Sequence, residues 1–229
     1  METHTILYIH GMGGGGDSRI PSILKEYFSS DTSLDIKVVV RTYSFDPEEG
    51  RRQIAEWVDE LSPSLVIGES LGAVQALRIT GVPHILVSPS LNAPLYLGYL
   101  AFLALIPGVT ALLDRIYLPK EGDRQKLHFS FRILRKYRAH RKAALADSAS
   151  QNAADRYFAF FGTRDHYRKS GIVSVRTWKK YFGNTYAMYP GTHFMEEEFI
   201  FSLLIPAIYK SLNIKQRNTN VFDYNICVS

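Results

Sequence analysis

A single cysteine, Cys227, occurs among the 229 residues, so no disulfide can form within the chain. Long apolar runs are also missing. The run over residues 6–9 is too short for the core of a secretory signal and opens straight into glycines. The run over residues 95–106 is interrupted by Gly98 and stopped by Pro107 and Gly108 before it reaches the length of a membrane span. These absences point to a cytoplasmic protein. No cluster of His, Cys and carboxylates has the spacing of metal ligands, and no cofactor is implied. Although the net charge is +5, no nucleic-acid-binding module or aromatic stacking platform accompanies the basic residues, so nucleic acid is not expected as a partner. Internal repeats are absent too.

What is present is enough apolar material, 46% of residues, to bury one substantial core. Runs rich in β-formers recur at Thr5-Ile6-Leu7-Tyr8-Ile9, Ile36-Lys37-Val38-Val39-Val40, Leu65-Val66-Ile67, Ile85-Leu86-Val87, Tyr157-Phe158-Ala159-Phe160-Phe161 and Thr185-Tyr186-Ala187-Met188-Tyr189. Helical signals separate them. Asp46-Pro47-Glu48-Glu49 reads as a capping box with proline at the first helical position, and Ile54, Trp57, Val58 and Leu61 then repeat at helical spacing. Val175, Trp178, Tyr181 and Phe182 mark another amphipathic helix. The run Glu196-Glu197-Glu198 suits the start of a last helix, which Pro206 should bend or end. Such alternation predicts a mostly parallel sheet with helices on both faces, binding ligands beyond the carboxyl ends of its strands.

Four motifs fall at that edge. Gly68-Glu69-Ser70-Leu71-Gly72 joins a strand to a good helix former, which places Ser70 at the apex of a sharp turn as a candidate nucleophile. Upstream, His10-Gly11-Met12-Gly13-Gly14-Gly15-Gly16 can present backbone N–H groups to an anion, and the amides of Met12 and Leu71 form a candidate oxyanion hole. His10 is assigned to supporting that loop. Asp165, just past the apolar run ending at Phe161, is the candidate acid. His193 is the candidate base, because of seven histidines it alone follows both the serine and a strand-terminal acid.

The same glycines also satisfy G-x-G-x-x-G, the dinucleotide-binding pattern, and an NADP-binding oxidoreductase using Gly11 to Gly16 is the alternative. Asp17 beside the phosphates and the expected late start of the following helix at Pro21 weigh against it. Arg41 at the end of the second strand weighs for a phosphorylated ribose.

Taken together, Tyr8-Ile9-His10-Gly11-Met12, the Gly68 to Gly72 elbow, Ile85-Leu86-Val87-Ser88-Pro89-Ser90, the acid turn Gly162 to Asp165 with Tyr167-Arg168, and Gly191-Thr192-His193-Phe194 resemble the α/β-hydrolases and, more narrowly, the YqiA-type esterase family. The resemblance covers roughly two-thirds of the chain. It implies an α/β-hydrolase fold and a serine esterase cleaving a carboxylic ester or thioester of a small molecule through an acyl-enzyme on Ser70, with Asp165 and His193 completing the triad. A non-catalytic hydrolase-like binding protein is a further alternative. The expected organisation is a single domain over residues 1–214, with its core in 1–95 and 155–214, and a flexible tail over 215–229. Residues 96–154 depart from the family pattern and are expected to form a helical lid. The lid's first part is apolar and its second carries Arg124, Lys126, Arg132, Arg135, Lys136, Arg138, Arg141 and Lys142, which suggests peripheral membrane contact or, on a plainer reading, a helix pair with one packed and one solvated face.

Overall fold

The computed structural model describes residues 3–30, 35–119, 121–149 and 157–214. Six strands, β1 (His4–Ile9), β2 (Ile36–Val40), β3 (Leu65–Glu69), β4 (His84–Val87), β5 (Tyr157–Gly162) and β6 (Tyr186–Tyr189), form one sheet in the order β2-β1-β3-β4-β5-β6. Every pairing is parallel. Because β1 lies between β2 and β3, the direction of winding reverses there, and the crevice past the ends of β1 and β3 is where such sheets bind ligands.

Parallel neighbours require crossover connections, and helices supply them. These are α1 (Arg19–Ser30), α2 (Pro47–Leu61), α3 (Gly72–Ala76), α4 (Ala93–Leu103), α5 (Val109–Ile116), α6 (Phe131–Leu134), α7 (Lys136–Ala149), α8 (Tyr167–Ser170) and α9 (Val175–Phe182). The period-two alternation of the strands splits the interior into two layers. Leu7, Ile9, Val66, Leu86, Ala159 and Phe161 pack with Ile54 of α2, Ala73 and Ala76 of α3, and Trp178 and Phe182 of α9. On the opposite face Ile6, Tyr8, Ile67, Ile85 and Phe160 meet Ile20, Leu24 and Phe28 of α1 and Ile200, Leu204 and Ile208 near the carboxyl end. Each such aliphatic or aromatic side chain gains about 1.5–3 kcal/mol on full burial, so the two layers supply the main force holding the sheet between its helices.

Local chemistry explains where helices start. Asp46 caps α2 by accepting from the amides of Glu48 and Glu49, with Pro47 at the first position. The reciprocal arm of the expected capping box runs through a third residue: the Asp46 amide donates to Ser44 Oγ at 3.2 Å, and Ser44 donates to Glu49 Oε2 at 2.8 Å. α1 begins at Arg19, so Pro21 falls within its first turn rather than at its start.

Pro206 does not end the last helix. That helix runs as α10 (Glu197–Phe199), a wider π-helical turn Ile200–Leu204, and α11 (Ile205–Ser211), whose first turn holds Pro206. The widened turn changes the pairing upstream of the proline, where its ring and missing N–H would otherwise conflict with an i−4 carbonyl. Trp57 is half-buried against the core and lies beneath the Arg41 guanidinium, 5.8 Å from the ring centre.

Residues 96–154 do two different things. Their second half is a wall of the core: α7 packs on α2, α3 and α4, burying Tyr137, Ala144 and Leu145. Several of its cations are engaged structurally, Lys136 with Asp46 at 2.6 Å and Glu48 at 2.9 Å, and Arg141 with the Leu91 carbonyl and Asn92. The first half is different: α4 buries one face, and α5 buries no residue. Among the described residues no helix is long and apolar enough to cross a membrane. The expected tail over residues 215–229 lies outside the described residues.

Candidate active site

β3 ends in Gly68-Glu69, the chain turns at Ser70, and α3 leaves at Gly72. Ser70 has φ 51°, a left-handed conformation that costs a non-glycine residue on the order of 1–3 kcal/mol and persists only where the surroundings hold it. They do so through its backbone. The Ser70 amide donates to Val87 O at 3.0 Å, and its carbonyl accepts from the amides of Ala73 and Ser90. A side chain on Gly72 would run into the carbonyls of Ile9 and His10, so only glycine lets α3 come this close to the end of β1.

The turn brings Ser70 to residues 95 and 123 positions further along the chain. His193 Nε2 lies 2.9 Å from Ser70 Oγ, and His193 Nδ1 lies 2.8 Å from Asp165 Oδ2. A carboxylate can only accept, so Nδ1 carries the proton and Nε2 is left to accept from the Ser70 hydroxyl. Asp165 and His193 are both almost fully buried, at 3% and 2% exposure. Asp165 Oδ1 accepts from the Tyr167 amide at 2.8 Å, which fixes the carboxylate plane.

The loops carrying Asp165 and His193 are tied to each other. Thr163 N–H donates to Tyr189 O at 2.8 Å and Arg164 N–H to Gly191 O at 2.9 Å. Glu196, read from the sequence only as a helix-start acid, accepts from the Thr192 amide with both carboxylate oxygens and so braces the residue before His193. Burial opposes ionisation of Glu196, but these amide bonds and nearby Arg164 prevail and hold its carboxyl below the usual range.

Further residues at the site escaped the sequence reading. Ser90 Oγ lies 3.2 Å from Ser70 Oγ; with the Ser70 proton directed to His193, Ser90 is the donor of that pair. Tyr8, fully buried, donates to Glu69 Oε2 at 2.8 Å beside Ser70. Burial raises the Glu69 carboxyl, while that hydrogen bond and nearby His193 pull it the other way. The Tyr167 ring meets His193 edge-on, 4.7 Å between centres. Glu69 adjoins Ser70 in the chain, but only the three-dimensional pairing puts Tyr8, Ser90 and Tyr167 beside it; a signal existed in the Ser88-Pro89-Ser90 turn, which follows the strand adjoining β3.

Met12 and Leu71 both line the cavity at Ser70, and neither amide is used in the turn and loop hydrogen bonds of the described residues. The neighbouring glycine amides are committed. Gly13 donates to Gln125 Oε1, Gly14 to Gly11 O, Gly15 to Ser18 Oγ and Gly16 to Thr42 Oγ1. A pyrophosphate would therefore find these four donors engaged, with Asp17 and Asp123 close to the loop, and Arg41 is paired with Glu60 at 2.6 Å. His10 stacks on Tyr43, 4.4 Å between ring centres, and burial lowers its pKa to about 4, so at neutral pH it is an uncharged prop of the loop.

The cavity measures about 670 Å³. Ala93, Leu97, Leu100 and Ile172 are among its apolar lining residues, and Arg19 and Arg124 among its polar ones. Among the described residues no group of three or more His, Cys, Asp or Glu is placed to hold a metal ion.

Comparison of the whole architecture with solved structures decides the fold. A ferulic-acid-bound Est1E from Butyrivibrio proteoclasticus superposes over 93% of this chain and 90% of its own, with TM-score 0.57 and 13% identity. The fold is that of the α/β-hydrolases. Tomato methylketone synthase I, as an H243A variant with β-ketoheptanoate, matches over 92% of this chain and all of its own, at TM-score 0.61 and 9% identity. The structure reported for the metagenome-derived lipolytic enzymes LipS and LipT matches over 91% and 94% at TM-score 0.57 and 14% identity. No family model matches the sequence, and no curated protein matches it significantly. Within this fold Ser70 follows the third strand of the six-stranded sheet, and Asp165 and His193 follow the last two.

Proposed function

We propose that the protein is a serine hydrolase of carboxylic esters or thioesters. The observation that carries the proposal is the buried relay from Ser70 Oγ through both nitrogens of His193 to Asp165, at 2.9 and 2.8 Å. In this reading His193 takes the Ser70 proton as Oγ attacks the acyl carbon. The amides of Met12 and Leu71 receive the developing oxyanion, and Asp165 stabilises the imidazolium. Collapse expels the alcohol or thiol, protonated by His193, and leaves an acyl group on Ser70. Water then repeats the cycle and frees the acid.

The apolar lining residues of the cavity suit an acyl chain. Solved structures of similar fold that include an esterase with ferulic acid and a type II thioesterase support the reaction class. The narrower kinship with YqiA-type esterases belongs to the same proposal and rests on the residues quoted for it. Nothing in the geometry favours a dinucleotide at the glycine loop.

A fluorophosphonate probe should label the native protein and fail to label Ser70→Ala, with ester turnover falling by on the order of 10³-fold or more in that variant. Labelling that persists in folded Ser70→Ala would overturn the assignment.

A further inference from the structure

Between Arg78 and Asp114 the chain has no Asp, Glu, Lys or Arg. α4 lies in this stretch and is apolar around its whole circumference, a composition that helices adopt when enclosed on all sides. Only one face, Pro94, Leu97, Gly98 and Ala101, is buried. The other face, with Tyr99, Phe102 and Leu103, is more than half exposed, and the exposure continues through Leu105 and Ile106 of the turn to Leu112, Ile116 and Leu118. Contiguous exposed side chains of this kind mark docking surfaces.

The patch is continuous with the cavity: Tyr96, Leu100 and Tyr117 line it, and the exposed Met12 and Phe194 stand at the same opening. Beside the patch lie exposed arginines. The Arg138 guanidinium lies over Tyr99 at 5.5 Å, and that of Arg135 over Phe131 at 5.7 Å, a ring 6.4 Å from Phe102. Arg115 and Arg132 are exposed nearby in sequence. Among the described residues none of these four is in an ion pair.

We propose that the α4–α5 segment seats the protein on an anionic lipid surface, from which an acyl lipid enters the cavity; the second clause rests on the serine-hydrolase reading and the first does not. An aliphatic tip flanked by tyrosines and arginines matches the layered polarity of a bilayer interface. With 11 residues, α4 can lie in one leaflet but cannot span two. A twofold contact between copies would oppose arginine rim to arginine rim, which disfavours a second copy as the occupant.

The test floats the full-length chain with phosphatidylglycerol-containing vesicles and with pure phosphatidylcholine vesicles. Binding should be at least about tenfold stronger to the anionic vesicles and weaken as salt rises. Leu105→Glu with Ile106→Glu lies in an exposed turn away from the cavity lining. It should cut vesicle binding by roughly tenfold or more while turnover of a soluble short-chain ester and the circular dichroism spectrum stay unchanged. Failure to bind either vesicle, binding unaffected by the double substitution, a dimer in the wild type that the substitution dissolves, or capture of an acidic carrier protein without vesicle binding would each overturn the proposal. Vesicle binding without any ester turnover would leave the docking intact and refute the hydrolase reading; turnover without vesicle binding would do the reverse.

Discussion

Ser70 is held in a conformation that its side chain alone would not select, and Ser90 supplies both a backbone donor to its carbonyl and a hydroxyl to its Oγ. That second contact occupies a lone pair and restricts rotation about the Ser70 Cα–Cβ bond, which makes Ser90 a positioning residue. Ser90→Ala should lower kcat by about tenfold with KM little changed, and cost no more than about 1 kcal/mol of stability. Steady-state kinetics alongside a urea melt would test it; a change confined to KM or to stability would refute the role. The three residues of the relay could be picked out from the chain because each stands directly past a recognisable strand. Ser90, Tyr8 and Tyr167 stood in the quoted motifs without a role, since their contacts with Ser70, Glu69 and His193 arise only from the three-dimensional pairing.

At the scale of single elements, α2 rests on Asp46, which accepts two amides and anchors Lys136 of α7 at 2.6 Å. One side chain thus starts a helix and joins it to the inserted segment. Asp46→Ala should cost about 1–2 kcal/mol, lowering Tm by roughly 2–8 °C for a chain of this size, whereas Asp46→Asn should retain most of the cap and lose chiefly the ion pair. Differential scanning calorimetry of the two variants separates these contributions; equal losses would show that the ion pair dominates. Turn chemistry made this start readable in advance. The last helix was less readable, because proline rules predict a kink or a stop and say nothing of a π turn that widens the helix upstream. The basic half of residues 96–154 follows the plainer of its two readings, one packed and one solvated face: Tyr137, Ala144 and Leu145 alternate with the cations and complete the core.

Across the whole molecule, the sheet and its two layers followed from alternating periodicities, while the strand order needed the three-dimensional pairing. Two buried histidines contribute to how the protein responds to acid. Burial lowers His10 and His140 to about 4, and Arg78 and Arg51 add to the effect at His140. Between that value and the ordinary histidine value near 6.5 the unfolded chain binds protons that the folded one refuses, so stability rises with pH across this window and is lost as pH falls through it. Each site contributes at most about 1.4 kcal/mol per pH unit. His140→Leu should therefore flatten the dependence seen in urea melts at about pH 7 and about pH 5; an unchanged slope would exclude His140 as a contributor.

β6 forms the outer margin of the sheet, supported by a neighbour on one side alone, and the imidazole is mounted directly after it. Peeling away that strand would withdraw His193 while Ser70 and most of the hydrophobic interior kept their places. On the serine-hydrolase proposal heat should then silence turnover before it melts the protein, for the cluster of Ser70, His193 and Asp165 is only as durable as its least supported ribbon.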